Sequence, residues 1–297
     1  MTSTLCDSSP LPPPRDGLAS DLLDCPPLRW GLIGCGRVSN DFALALRHVT
    51  TAKVVACAAR SSESAAKFAE KFDIPSYYGS YEELLKDENV DIVYVGNVHA
   101  FRRQIGEMCL NADKHVLLEK PFSCKVVDAE YLVELARSKG LFCMEGMWTR
   151  FFPAVEQARR LVLEEKVIGE VVSVTTDFNF NASDSEQYPD SFVYTHSVGG
   201  GSILLVAPYP VAAATLFFGG KMPSDVKCVG QLDSNTGVDL QGVAVLNFDS
   251  DGGIAPALDE SNSIENTPKL PGCGVASLSF GLLGESSEET GEWYCSS

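Results

Sequence analysis

The chain has 297 residues, ten of them cysteine, and a formal net charge of −17 at pH 7. This length is sufficient for two domains with separate hydrophobic cores. Such an acidic chain is a poor partner for nucleic acid or an anionic membrane, because phosphate groups bind clustered basic side chains. The cysteines are scattered singly, without Cys-x-x-Cys or zinc-ligand spacing, so we expect reduced thiols, a cytoplasmic protein and no bound metal.

Residues 1–27 are rich in Ser, Pro and Asp. They have no basic start followed by an apolar block, which argues against a signal peptide, and their composition predicts a disordered N-terminal extension. Elsewhere no apolar run reaches the ~20 residues of a membrane span. The longest candidate, 206–218, also contains two prolines.

Residues 28–150 are predicted to form a Rossmann-type domain. Short β-branched runs alternate there with helical patterns, which is typical of βαβ units and a doubly wound parallel sheet. The predicted strands are 28–34, 54–59, 76–78, 92–96, 115–119 and 141–145. The predicted helices are 39–48, 62–72, 81–86, 101–112, 126–139 and 153–165, and the third begins with the capping-box spacing of Ser80 and Glu83.

Residues 151–284 are predicted to form a second, α+β domain for substrate binding and dimerisation. Longer alternating runs after Gly169 indicate an open, mostly antiparallel sheet. Its predicted strands are 171–180, 226–230, 242–248 and 275–282, with one apolar helix over 202–218. Polar composition predicts a flexible insertion over 249–274 and an acidic tail over 285–297.

A glycine-rich turn joins the first predicted strand to the first predicted helix. In Gly34-Cys-Gly36-Arg37-Val38-Ser39, the first glycine permits a tight bend and the second lets backbone N–H groups approach a pyrophosphate. Ser39 takes the third glycine position of G-x-G-x-x-G, where a small residue suffices. The alternative is an accidental glycine turn, but its place between strand and helix predicts dinucleotide binding, with Arg37 and Val38 as further cofactor contacts.

The end of the second predicted strand indicates which dinucleotide is bound. Arg60 stands about where an NAD enzyme places an acidic residue for the ribose 2′-hydroxyl. An arginine there favours a 2′-phosphate, with Ser61, Ser62 and Arg37 as further donors, so we predict NADP. The alternative is that Arg60 is simply solvated at a strand end.

The fifth predicted strand closes with Glu119-Lys120-Pro121. The carboxyl ends of such strands surround the ligand crevice, where a lysine can hydrogen-bond a substrate hydroxyl and, with a lowered pKa, assist proton transfer. Taken alone, Lys120 is better explained as an exposed lysine.

Four motifs in this order resemble the glucose-fructose oxidoreductase family, also called Gfo/Idh/MocA. They are the glycine-rich turn from Gly31, Glu119-Lys120-Pro121, Trp148-Thr-Arg-Phe-Phe-Pro153, and Gly199-Gly-Gly201 with Tyr209. The resemblance covers 28–248 and resumes over 275–289.

The resemblance implies an NADP-linked branch that oxidises trans-dihydrodiols of aromatic hydrocarbons and D-xylose. It also implies that Lys120 and Tyr209 line the active site, that Trp148 and Phe178 form apolar substrate walls, and that His99, Glu119 and Lys120 lie at the cofactor. A homodimer is a further expectation from the family.

The sequence departs from the family pattern near the predicted site. Arg102 replaces a second active-site histidine and is carried over as a substrate contact, while Leu205 stands where the family has an aspartate. Pro208 and Pro210 bracket Tyr209, which predicts that its helix starts late or is bent.

The second domain also differs from the family pattern. The family continues after the region of Glu289 with further strands and a closing helix, so we expect a truncated or alternatively spliced product. The alternative is a genuine lineage with a shortened second domain.

Two functions follow from these residues. The first is an NADP-dependent dehydrogenase that removes a hydride from a secondary alcohol, with Tyr209 as base and Lys120 orienting the hydroxyl. The second is a catalytically impaired dinucleotide-binding protein, favoured by Leu205 and by the missing strands.

Overall fold

The computed structural model describes residues 26–180, 189–249 and 274–282. The predicted tail, most of the N-terminal extension and nearly all of the predicted insertion lie outside these ranges. The chain divides into two compact units, residues 1–146 and 147–297.

The first unit contains a six-stranded parallel sheet with strand order β3-β2-β1-β4-β5-β6. The strands are β1 (Leu28–Ile33), β2 (Ala52–Ala58), β3 (Ser76–Tyr78), β4 (Ile92–Val95), β5 (His115–Glu119) and β6 (Cys143–Gly146). The predicted doubly wound sheet is confirmed, because the chain proceeds outward from β1 in one direction and then, from β4, in the other.

Five helices connect these strands: α1 (Arg37–Leu46), α2 (Ser62–Phe72), α3 (Tyr81–Leu85), α4 (Arg102–Asn111) and α5 (Val126–Lys139). Local side chains set several of their ends. Ser61 accepts a hydrogen bond from the Ser64 amide (3.2 Å) at the start of α2, and Ser80 accepts one from the Glu83 amide (3.3 Å) at the start of α3. The predicted helix start at Ser80 is therefore confirmed.

The core of the first unit lies on both faces of its sheet. All four residues of β4 are buried. Val93 packs in a cluster with Ile33 and Leu118, whereas its neighbour Tyr94 packs in another cluster with Leu32. Successive strand residues point to opposite faces, so this division accounts for the uninterrupted apolar runs in the sequence.

The second unit contains a four-stranded sheet with order β7-β10-β9-β8. Its strands are β7 (Ser173–Asn179), β8 (Asp225–Leu232), β9 (Asp239–Phe248) and β10 (Gly274–Gly281). β9 pairs antiparallel with β8 and β10, but β10 pairs parallel with β7. The sheet is therefore mixed and mostly antiparallel, as predicted.

The predicted single helix over 202–218 is wrong. The structure has two helices there, α7 (Ser202–Leu205) and α8 (Pro208–Phe217), after the earlier α6 (Pro153–Arg159). A continuous helix would require amide donors that Pro208 and Pro210 lack. A new helix starting at Pro208 places both prolines in a first turn, where the amides have no partner in the helix.

The same segment is strongly apolar, with few polar residues in Ser202–Leu205 and Pro208–Phe217. No single helix in the described ranges is long and apolar enough to cross a membrane, and only the pair His196–Leu205 and Pro208–Phe217, bent by 42°, meets those criteria together. Val206, Ala214 and Phe218 are buried in the core of the second unit, which accounts for this composition.

Candidate functional site

The turn after β1 has the geometry of a phosphate-binding turn. Gly34 has φ +91°, and a Cβ atom there would lie 2.7 Å from Oδ1 of Asn97. Glycine is therefore required on both conformational and steric grounds. Gly36 is the N-cap of α1 and has open space around its Cα, with nothing within 4 Å of a Cβ position.

The first turn of α1 is open to an anion. Gly36 provides no side-chain cap, the turn contains no acidic residue, and Gly36, Arg37 and Val38 are all exposed. Unpaired N–H groups and the helix dipole favour negative charge at such an end. The residues present therefore fit the pyrophosphate of a dinucleotide.

Asn97 was not among the predicted site residues, although it lies beside this turn. It follows β4, at the point where the strand order reverses. Its Nδ2 donates to the Tyr81 hydroxyl (2.7 Å), while its buried Oδ1 has no hydrogen-bond partner among the described residues. That free acceptor fits a ligand hydroxyl, and the rule that ligands bind at such reversals could have identified Asn97.

The end of β2 carries the residues predicted to bind a 2′-phosphate. Arg60 and Ser62 are exposed. The Ser61 hydroxyl caps α2 and donates to Oγ of Ser64 (2.9 Å). To donate to a phosphate as predicted, this hydroxyl would have to give up its bond to Ser64.

Glu119 and Lys120 lie at the end of β5. Oε1 of Glu119 accepts from the Tyr94 hydroxyl (2.9 Å), and Oε2 accepts from the backbone amide of Lys120 (3.1 Å). Burial lowers the pKa of Lys120 to about 8, with the nearby charges of Glu119 and Glu145 opposing this effect and that of Arg102 adding to it. A lysine with this pKa can hold or release a proton near neutrality.

Arg102 links the loops that follow β4 and β5. It is 6% exposed; Nε donates to the carbonyl of Asn97 (3.0 Å) and Nη1 to that of Pro121 (2.5 Å). Burial lowers its pKa to about 10. His99, 2% exposed, lies one turn before it. These bonds give Arg102 a positioning role, and its contact with substrate stays a prediction.

Two further residues of this environment escaped the sequence analysis. Tyr94 fixes the Glu119 carboxylate, and its ring stacks on Phe42 with centroids 4.0 Å apart. Oε1 of Glu145 accepts from the amide of Phe122 (2.8 Å). Glu145 closes a predicted strand, so its position at the sheet edge was a usable signal, whereas Tyr94 is one apolar-looking residue within a buried strand.

The second unit brings together three of the predicted site residues. Nε1 of Trp148 donates to the Tyr209 hydroxyl (2.9 Å). The Phe178 ring lies 4.9 Å from the Tyr209 ring, and the Trp148 ring lies 5.5 Å from that of Phe152. Trp148 is 59% exposed, so the cluster presents aromatic surface to solvent. The hydroxyl of Tyr209 lies beside this surface, and its orientation is fixed by the hydrogen bond from the indole.

Asp239 supports the helix that precedes Tyr209. Its Oδ2 accepts from Oγ of Ser202 and from the amide of Ile203, each at 2.6 Å. Leu205 ends this helix and packs against the core of the second unit. Among the described residues, no three His, Cys, Asp or Glu side chains are grouped as a metal site.

Comparison with known families matches both units. The model for the oxidoreductase family with an NAD-binding Rossmann fold, GFO_IDH_MocA, matches residues 28–147. The GFO/IDH/MocA C-terminal domain matches residues 155–256.

Individual relatives agree with these matches. Trans-1,2-dihydrobenzene-1,2-diol dehydrogenase of Xenopus tropicalis is 38% identical over 222 residues, which cover 74% of this chain and 65% of the relative, slightly less than two thirds of its length. The Bos taurus enzyme of the same name is 38% identical over 256 residues, covering 84% and 74%.

A solved structure is also similar. KijD10, a 3-ketoreductase from Actinomadura kijaniata in complex with NADP and TDP-benzene, is 29% identical with a TM-score of 0.70, covering 87% of this chain and 71% of KijD10. The chain therefore belongs to the Gfo/Idh/MocA oxidoreductase family.

Proposed function

We propose that this protein binds NADP(H) and transfers a hydride between the nicotinamide and a secondary alcohol carbon of a trans-dihydrodiol or a cyclic sugar such as D-xylose. The observation that carries the proposal is the open first turn of α1 behind Gly34 and Gly36, on the same sheet edge as the half-buried Lys120. Relatives named as dihydrodiol dehydrogenases support the substrate class.

The choice of NADP over NAD depends on the end of β2. Arg60 is exposed there and is followed by two serines, and the next carboxylate, Glu63, is paired with Lys67 (2.7 Å). The similar KijD10 was crystallised with NADP. A guanidinium recognises phosphate through paired charge-assisted bonds, which an NAD ribose hydroxyl cannot match.

Lys120 is proposed to hydrogen-bond the reacting hydroxyl. When bound, the nicotinamide supplies the hydride acceptor for alcohol oxidation. Lys120 orients the substrate hydroxyl and exchanges a proton with it, and the lowered pKa of Lys120 suits this exchange near neutral pH. Tyr94 and Glu119 hold the start of its loop in place through the hydroxyl–carboxylate bond.

Tyr209 is proposed as the base in the second unit. Its hydroxyl oxygen is held by the indole of Trp148, and its ring contacts Phe178. Such exposed aromatic surface suits the apolar ring of a dihydrodiol, whose hydroxyls need a polar group beside that surface.

A dinucleotide-binding protein without turnover is the second candidate function. It is favoured by Leu205, an apolar residue where the family resemblance leads us to expect an aspartate. A homodimer and a cytoplasmic location are also proposed, on the sequence resemblance and the reduced cysteines alone.

Titration with the two reduced cofactors tests the first step. We expect NADPH to bind at least about tenfold more tightly than NADH, because a charge-assisted bond to the 2′-phosphate contributes roughly 1.5–3 kcal/mol. Arg60→Ala should remove most of this preference, while Arg137→Ala, which changes an exposed arginine of α5, should keep it. Nicotinamide fluorescence gives the dissociation constants. Equal affinities in the unmodified protein would contradict the NADP assignment.

Turnover with a trans-dihydrodiol and with D-xylose, followed by NADPH absorbance, separates the two candidate functions. Binding with turnover supports the dehydrogenase. Binding without turnover on either substrate would favour the second candidate.

A further inference from the structure

Two cysteine side chains lie in the same cluster beneath the phosphate-binding turn. β1 and β2 pair in parallel with Leu32 opposite Cys57, and the Gly34 amide donates to the Ala58 carbonyl (2.9 Å), which extends the pairing beyond β1. Cys35 therefore lies over the end of β2, with its Sγ 3.6 Å from the same carbonyl. Both cysteines belong to the same side-chain cluster, in which Cys57 is buried with Leu32 and Cys35 packs against it.

The two thiols differ in exposure and proton affinity. Cys35 is partly exposed, whereas Cys57 is buried in β2 with its Sγ 3.5 Å from the Ala65 carbonyl. The interaction between the two side chains lowers the pKa of Cys35 and raises that of Cys57. The thiolate is the form that reacts with peroxides, so Cys35 is the thiol of this pair suited to react first.

Other described cysteines lack this combination. Burial raises the pKa of the Cys109 thiol, and it raises the pKa of Cys143 to about 11, so both remain thiols at neutral pH. Cys228 is exposed on β8 and has its Sγ against a backbone carbonyl of its own strand.

We propose that Cys35 and Cys57 form a peroxide-sensitive dithiol, whose oxidation to a disulfide disables dinucleotide binding at the turn. The effect on binding rests on the proposed function, whereas formation of the disulfide does not.

The reaction balances with a hydroperoxide as oxidant. The Cys35 thiolate attacks one oxygen of hydrogen peroxide, giving a sulfenic acid and hydroxide. The Cys57 sulfur then attacks the Cys35 sulfur, the S–O bond breaks, and the hydroxyl leaves as water with the Cys57 proton. In total two thiols lose two electrons and two protons, and one peroxide becomes two waters.

Closing this bond affects the cofactor site because Cys35 lies between the two glycines of the turn. A covalent link to β2 restrains the backbone from Gly34 to Gly36, whose amides are needed to approach the pyrophosphate. In the reverse direction, a bound pyrophosphate covers the turn, so cofactor should protect Cys35 from oxidation.

The test treats the reduced full-length protein with hydrogen peroxide, blocks remaining thiols with N-ethylmaleimide, and maps cross-linked peptides by mass spectrometry. We expect a Cys35–Cys57 peptide that forms more slowly with NADPH present. NADPH dissociation constants should rise at least about tenfold on oxidation, through loss of the amide cradle, and recover with dithiothreitol. Reduced thiols at both positions after peroxide treatment, or a linked peptide with unchanged NADPH affinity, would overturn the proposal.

Three variants provide the controls. Cys57→Ser, with Cys57→Ala in case the serine destabilises the strand, should give no cross-link and leave a sulfenic acid at Cys35 that dimedone traps. Cys228→Ser should form the cross-link as the unmodified protein does. If reduced protein binds no NADPH, the proposed function fails, while the peptide map still decides the dithiol.

Discussion

At the scale of single residues, the candidate site depends on charges held away from water. Lys120 and Arg102 are two cations near each other, and Glu119 and Glu145 only partly offset the cost of burying Lys120. Folding therefore favours the neutral form of the Lys120 side chain and lowers its pKa from 10.5 to about 8. Function explains this arrangement better than stability does, because a buried charge whose desolvation is only partly offset destabilises the fold.

Lys120→Met should therefore make the protein more stable at neutral pH while abolishing turnover. Below pH 8 the native lysine is charged at a cost, whereas between pH 8 and 10.5 the unfolded chain binds a proton that the native state does not. The unmodified protein thus gains stability as the pH rises through that window. The variant should be more stable than the unmodified protein by about 1–3 kcal/mol at pH 7, and this difference should become smaller at pH 10.

Urea unfolding of both proteins at pH 7 and pH 10 measures this difference. Lys125→Met, at an exposed lysine of the same loop, is the control and should show a difference that pH does not change. NADPH affinity should be nearly unaffected by Lys120→Met. A variant that loses NADPH binding and keeps turnover would show that Lys120 has been given the wrong role.

At the scale of elements, the sequence predicts what depends on local chemistry. Periodicity and caps place all six strands and five connecting helices of the first unit within two residues of their ends. The pairing of β10 with β7 is parallel, and alternation alone cannot reveal this, because both kinds of strand have a period of two. The break between α7 and α8 was expected only as a late or bent start near Pro210.

The site shows the same division. Gly34, Gly36 and Lys120 belong to short motifs that can be recognised in one segment. Asn97 acquires its position beside the turn only through pairing of β1 with β4, and Tyr94 meets Glu119 across two strands of the sheet. Contacts of this kind depend on tertiary structure.

The position of Pro210 in α8 can be tested. Because Pro210 lies in the first turn, its missing amide costs the helix little, so Pro210→Ala should change the free energy of unfolding by no more than about 1 kcal/mol. Ala213→Pro, one turn further on, should cost about 3 kcal/mol or more. Chemical denaturation of the two variants gives these values. A larger loss for Pro210→Ala than for Ala213→Pro would mean that the helix does not begin at Pro208.

At the scale of the whole molecule, each unit has a core of its own. The first unit is organised on two apolar clusters around its parallel sheet, and the second on a cluster around β9 and β10. The proposed dinucleotide contacts, from Gly34 to Arg60, all belong to the first unit. A bound dinucleotide should therefore stabilise the first unit against unfolding more than it stabilises the second.

We expect thermal unfolding of the reduced protein to show two transitions, of which NADPH raises the one that belongs to the first unit. A ligand at 100 times its dissociation constant stabilises the state that binds it by about 2.7 kcal/mol. Calorimetry detects the transitions, and hydrogen exchange with mass spectrometry assigns them, since peptides of β1, β4 and β5 should gain protection on NADPH addition while those of β9 should change little. NADH at the same concentration is the control and should have a smaller effect, because it lacks the 2′-phosphate that Arg60 is proposed to bind. A single transition with equal added protection in β4 and β9 would contradict this expectation, since it would mean that the two cores unfold together.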